Sequence, residues 1–166
     1  MAKLTFSGTT QQVLLALGSD IDSSTKITIT DNNYTLANLL DIITVSTVYP
    51  VVLQKTAAAV AIEGVAATQL IPMLAGVSSY TGALKATDAN ISAAQLNTIA
   101  AGTTGKVTAT LVNTTTIDAA AVLALKDVKA TDAITFVPTD NNLSGNADIN
   151  ALIPNPDIKI EPIKVT

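Results

Sequence analysis

The chain alternates between two hydrophobic rhythms. Ile27 and Ile29 stand against Lys26, Thr28 and Thr30; Val107, Ala109 and Leu111 against Lys106, Thr108 and Thr110; Leu4 and Phe6 against Lys3 and Thr5. That period of two marks strands with one apolar and one polar side. Seven such runs are read at 3–6, 26–30, 48–54, 83–87, 105–112, 133–137 and 157–165. Helix-length segments lie between them: Thr10–Leu17, Leu36–Ile43, Ala57–Leu74, Ala93–Ala101, Ile117–Val128 and a shorter Ala147–Ile153. Most runs begin 22–28 residues apart; the third interval is longer because it holds the apolar stretch Thr56–Val77, which reads as buried helix.

Three segments share one core, Thr-Asp-x-Asn-apolar-Ser/Thr, with the aspartate at Asp31, Asp88 and Asp140. In each, a strand ends at Thr-Asp, and the Asp and Asn turn the chain by bonding their own backbone. Thr35, Ser92 and Ser144 then stand as helix N-caps. Tyr34, Ile91 and Leu143 precede those caps, where a hydrophobic staple wants an apolar side chain, and Leu39 and Leu96 are the staple partners in the first two copies. Gln95 completes a capping box in the second copy. The third copy departs, with Asp148 where the staple partner should be. Spacing of the aspartates gives a period of 57 and then 52 residues, each holding two smaller units.

Strand alternating with helix predicts parallel strands joined by right-handed crossovers. A doubly wound sheet would bury both faces of its strands, but here one side of each strand carries Thr and Lys. The expected fold is therefore α/β, a one-sided β/α solenoid: a single parallel sheet of about seven short strands with helices on the opposite face. Residues 1–166 form one repeat domain, with units at 1–25, 26–82, 83–132 and 133–166. Its outward positions include Lys3, Lys26, Lys85, Lys106 and Lys159.

Composition narrows the function more than the fold. Hydrophobic residues make up 48% but aromatics only 3%, so the core is built from many small aliphatic side chains. Charged residues are 13%, about half the globular norm. There is no His, Cys, Trp or Arg, since all nine basic residues are Lys. The commonest general base, the thiolate nucleophile and the bidentate clamp for phosphate or carboxylate are thus missing. Glu63 and Glu161 are the only glutamates, and neither neighbours another acid in sequence. No catalytic residue, cofactor or metal site is assigned, and the expectation is a protein that is not an enzyme. A net charge of −4 with singly scattered lysines argues against nucleic acid. Glu63, Gln69 and Pro72 interrupt the most apolar stretch, which argues against membrane insertion. The N-terminal segment MAKLTFSGTTQQ shows no Sec-type leader.

Several sharper patterns have ordinary explanations. Asp20-Ile-Asp22, Asp31-Asn-Asn33 and Asp140-Asn-Asn142 offer clustered oxygens, but without the spacing of a calcium loop. The Asn-x-Ser/Thr triplets at Asn33, Asn90, Asn113 and Asn142 are potential glycan acceptors, yet three of the four coincide with the helix-cap motif. The ends of the stack carry more information. A solenoid needs polar caps, whereas here strand-like runs lie at both ends. The assembly residues expected from this are Lys3, Leu4, Phe6, Ile158, Ile160, Pro162, Ile163 and Val165. Apolar parity shifts at Pro162, as a bulge or a handover to another chain would require.

The stretch Thr87–Ala109 (Thr-Asp-x-Asn, then Ala-Ala-x-Leu-Asn-x-Ile, then Thr-Thr-Gly-x-Val-Thr-Ala) resembles the Thr/Ala-rich repeats of large cyanobacterial surface proteins. Similar repeats occur in structural proteins of the phages that infect those cells. The resemblance spans roughly residues 26–166 and lies in rhythm. It implies a displayed, structural role: a self-assembling or surface-coating subunit of a virion or an extracellular filament. Its partners would be further copies or other structural subunits. The alternative is an adhesion module that uses the Thr/Lys face or the turn loops to hold a carbohydrate or a protein.

Overall fold

A computed structural model describes residues 4–54, 59–88, 91–113, 127–138 and 158–160. Nine strands and four helices follow one another among them. They are β1 (Thr5–Gly8), α1 (Thr10–Ala16), β2 (Lys26–Ile29), α2 (Leu36–Val45), β3 (Val51–Leu53), β4 (Ile62–Val65), α3 (Ala67–Gly76) and β5 (Val77–Ser78), then β6 (Leu84–Ala86), α4 (Ala93–Gly102), β7 (Val107–Asn113), β8 (Ala133–Pro138) and β9 (Ile158–Ile160). Every strand pairing is parallel. The α/β class and the parallel pairing expected from sequence are both present.

The single sheet of seven strands is corrected. There are two sheets, one of four strands in the order β1-β2-β3-β5 and one of five in the order β4-β6-β7-β8-β9. The additional strands are β4, which lies inside the stretch that reads as one long helix, and β5 at its end. Among the described residues of that stretch only Ala67–Gly76 are helical. β4 hid because it carries a bulge: its register with β6 shifts between Glu63 and Val65, and Gly64 between them has φ +77°. An extra residue there breaks the period of two that reveals a strand, and glycine meets the positive φ at no steric cost.

Chain order explains the two sheets. After β3 the chain does not enter a helix directly. It passes through residues 59–61 into β4, which begins the second sheet, and only then into α3. β5 returns to pair with β3, and the chain crosses again to β6 beside β4. The order β1-β2-β3-β5 in the first sheet thus recurs as β4-β6-β7-β8 in the second. Core positions recur with it: Ile27 and Leu84, Leu39 and Leu96, Ile42 and Ile99 are all buried and all 57 residues apart.

Local chemistry sets the helix starts. Thr9, Thr35 and Ser92 each close a capping box, with Gln12, Asn38 and Gln95 respectively. The boxes at Thr35 and Ser92 are the N-caps expected from the shared motif; Thr9 was not foreseen. The staple residues Tyr34, Leu39, Ile91 and Leu96 are buried. Strand sides alternate as expected: Ile27, Ile29, Leu84, Val107 and Ala109 are buried, whereas Lys26 and Lys85 are exposed and Thr28 and Thr108 half-buried. Helices contact in chain order, α1 with α2, α2 with α3 and α3 with α4. Gly76 and Gly102 allow the close approach, since a Cβ on them would collide with the side chains of Ile43 and Leu74. The expected helices at Ile117–Val128 and Ala147–Ile153, and the N-cap at Ser144, lie outside the described residues in whole or in large part.

Two boundaries move. The first strand is displaced toward Gly8, which leaves Leu4 outside it and 81% exposed. The run 48–54 contains a strand only over Val51–Leu53; Val48, Tyr49 and Pro50 form an exposed loop before it.

Candidate assembly surface

Side-chain hydrogen bonds tie each strand–helix unit to its neighbour. Asp31 stands just after β2 and reaches back one rung, where Oδ1 accepts the Thr10 N–H at 3.0 Å and the Thr10 hydroxyl at 2.6 Å. Asp88, 57 residues on, takes the Ala67 N–H at the start of α3 in the same way. In these two copies the aspartate is therefore a cap for the helix before it, beyond the turn role read from sequence; Asp140 lies outside the described residues. Partial burial alone would raise the Asp31 pKa. The bonds from Thr10 outweigh it, with the Asn33 and Asp31 backbone groups, and hold the carboxyl below the usual value.

The helix exits carry a second fastener. Ser46, at the end of α2, donates its hydroxyl to the Thr25 carbonyl at 3.0 Å; Thr103, at the end of α4, donates to the Gly82 carbonyl at 2.8 Å. Each bond spans 21 residues and each hydroxyl is buried. Further on, Lys129 caps the exit of α4 through the carbonyls of Ala100 and Thr103, at 2.9 and 3.1 Å. Buried Asp132 accepts the Val107 N–H at 2.8 Å and pairs with Lys129 at 3.5 Å. The crossing into the second sheet is held by two buried tyrosines. The Tyr34 hydroxyl accepts the Val60 N–H at 3.2 Å, and the Tyr80 hydroxyl donates to the Val60 carbonyl, so both polar groups of one residue are satisfied. Burial pushes both phenol pKa values up, Tyr80 most, where the neighbouring Tyr34 adds to the effect.

β1 pairs with β2 alone, and its other edge meets no strand among the described residues. Beside it lies an open hollow of about 490 Å³, bounded by Phe6 and Ser7 of β1, by Gln12 and Leu15 of α1, and by Ser19 and Asp20. Leu15 is 75% exposed there. At the other extreme, among the described residues, β9 pairs with β8 alone, with Lys159 opposite Thr135.

Of the expected assembly residues, Leu4 and Phe6 lie at the free edge of the first sheet and Ile158 and Ile160 in the last strand of the second. The fold separates the two pairs at opposite extremes of the strand order. Lys3, Pro162, Ile163 and Val165 lie outside the described residues. Leu15 was missed: its place on an apolar helix looks like core, and only the position of α1 at the end of the row exposes it. Among the described residues no group of three or more acids comes together as a metal would need, and no helix is long and apolar enough to cross a membrane. No family model matches this chain, and no curated protein or solved structure is similar to it.

Proposed function

We propose that the chain is a one-sided β/α solenoid that acts as a structural subunit, joining head to tail with further copies rather than catalysing a reaction. The observation that carries this reading is the pairing pattern: every pairing is parallel, and among the described residues the first strand β1 and the last strand β9 each end a sheet with one partner, as do β4 and β5 at the crossing between the sheets. A parallel stack repeats by translation, so its two ends differ and each is complementary to the other. Such a heterologous contact builds open arrays. The internal meeting of α2 with α3 supports it, because there one 57-residue block already stacks on another. Exposed Leu4 and Leu15 beside the free edge supply apolar surface for the contact. A virion or an extracellular filament is the setting that fits the repeat's resemblance.

Analytical ultracentrifugation and negative-stain electron microscopy test this together. The wild-type protein is expected to form concentration-dependent linear oligomers. The double variant Leu4→Glu/Leu15→Glu is expected to sediment as a monomer with unchanged circular dichroism. A wild-type protein that stays monomeric near 1 mM (roughly −4 kcal/mol of association) overturns the reading.

A further inference from the structure

The two sheets have the same strand order but different outer surfaces. Across the first sheet the outward row is Ser7, Thr28, Val52 and Ser78, each in register with the next. Across the second it is Glu63, Lys85, Thr108 and Ala133. The loop entering β3 is also one residue longer than its counterpart. Four residues separate Ser46 from Val51, and three separate Thr103 from Val107. The longer loop holds Val48, Tyr49 and Pro50, and Val48 and Tyr49 are 58% and 39% exposed. Tyr49 and Pro50 line a groove of about 380 Å³ together with Val52, which is 45% exposed in the middle of the hydroxyl row. The counterpart loop builds an equivalent strand without any of these side chains, so the scaffold does not require them.

Charge adds a second observation. Among the described residues, Lys26 is the only charged one lining the groove, in a chain with net charge −4. Its Nζ lies 4.9 Å from the centre of the Tyr49 ring. A peptide adding as a strand would pair along a sheet edge, not across this sheet face. Recognition must come from side chains: an aromatic and aliphatic wall, a row of hydroxyls and one ammonium group. We infer that this groove binds an acidic saccharide. The apolar wall suits the C–H faces of sugar rings, and Ser7, Thr28 and Ser78 supply hydroxyls that both donate and accept. Lys26 pairs with the carboxylate in a charge-assisted hydrogen bond. The volume falls within the range of about 300–1,000 Å³ usual for small-ligand sites. The groove opens on the sheet face, and Thr5, Phe6 and Ser7 of β1 bound both it and the hollow at the free edge.

Isothermal titration calorimetry with oligogalacturonate, and with its methyl-esterified form as the neutral control, tests the inference. The acid form is expected to bind and the ester to bind about ten-fold more weakly. Tyr49→Ala is expected to remove detectable binding and Lys26→Gln to bring the acid down to the level of the ester. Thr108→Val on the second sheet should change nothing. All three positions are wholly or partly exposed, and matching thermal melts would show that the variants fold. Equal binding of acid and ester, unchanged binding by Tyr49→Ala, or no binding to either saccharide overturns the assignment. So does occupation of the groove by a second copy of the chain, seen as protection of Tyr49 on oligomerisation.

Discussion

The first and second 57-residue blocks are two versions of one design, and their differences separate what the fold needs from what it tolerates. Both keep an aspartate that caps the preceding helix, a hydroxyl at the helix exit and the same buried aliphatic positions. They part at two places. The second block packs backbone against backbone at the turn before β7, where a Cβ on Gly105 would overlap the carbonyl groups of Gly82 and Thr81. The first block has Val48 in the matching loop, more than half exposed. Helix starts differ as well: α1 has its own capping box, whereas Ala66 before α3 makes no side-chain cap.

The sharpest way to break this comparison is to put the same side chain at the two turns. Gly105→Ala forces a methyl into main-chain atoms that cannot rotate away and is expected to cost about 3 kcal/mol. Val48→Ala, in the open loop, is expected to stay within about 0.5 kcal/mol of wild type. Urea denaturation of both variants checks this, and equal midpoints would dissolve the distinction between the turns.

A smaller contrast is expected from the two aspartates. Asp88→Ala removes the side-chain cap that α3 receives from the next rung and should cost about 2 kcal/mol. Asp31→Ala leaves the Thr9–Gln12 box in place and should cost about 1 kcal/mol. Thermal melts that reverse this order would show that the box contributes nothing to α1.

The smallest effects come from pH, with opposite signs at the two ends of the scale. The Asp31 carboxyl has a lowered pKa when folded. Its contribution is present above the unfolded value of about 3.9 and fades as pH falls through the folded value. The phenols of Tyr34 and Tyr80 have raised pKa values when folded. Their contribution is complete below about pH 10 and lost as the pH rises through the folded values. Denaturation midpoints should therefore fall below about pH 4 and above about pH 10. Tyr34→Phe/Tyr80→Phe is expected to lower the neutral-pH midpoint and remove the alkaline slope; a slope that persists would place its origin elsewhere.

Much of the frame was legible in the sequence because it is written in local chemistry. The N-caps at Thr35 and Ser92, their staples and the alternation in β2 and β7 depend on residues a few positions apart. What escaped depends on distance. The partner of Asp31 is 21 residues earlier, so from sequence its carboxylate looks like a turn former. β4 escaped because Gly64 inserts a residue where the rhythm should continue, and Ala-rich surroundings make the apolar run read as helix. The Tyr49 loop escaped for another reason: whether an apolar triplet before a strand is covered depends on what stands beside it. Of the proposed assembly surface, a strand near the start of the chain was legible, while the exposure of Leu15 required knowing where α1 sits in the row.

One helix per step sits beside one strand per step in the first sheet, and the two prefer different spacings. Strands in a ladder lie about 4.8 Å apart, whereas packed helices want about 8–10 Å. Glycines at the contacts between α2 and α3 and between α3 and α4 narrow the helical spacing, but they cannot halve it. Successive steps must therefore splay, with the helical layer on the outer circumference. If copies add end to end as proposed, that splay accumulates into curvature, and the resulting filament is an arc or a coil, never a straight rod.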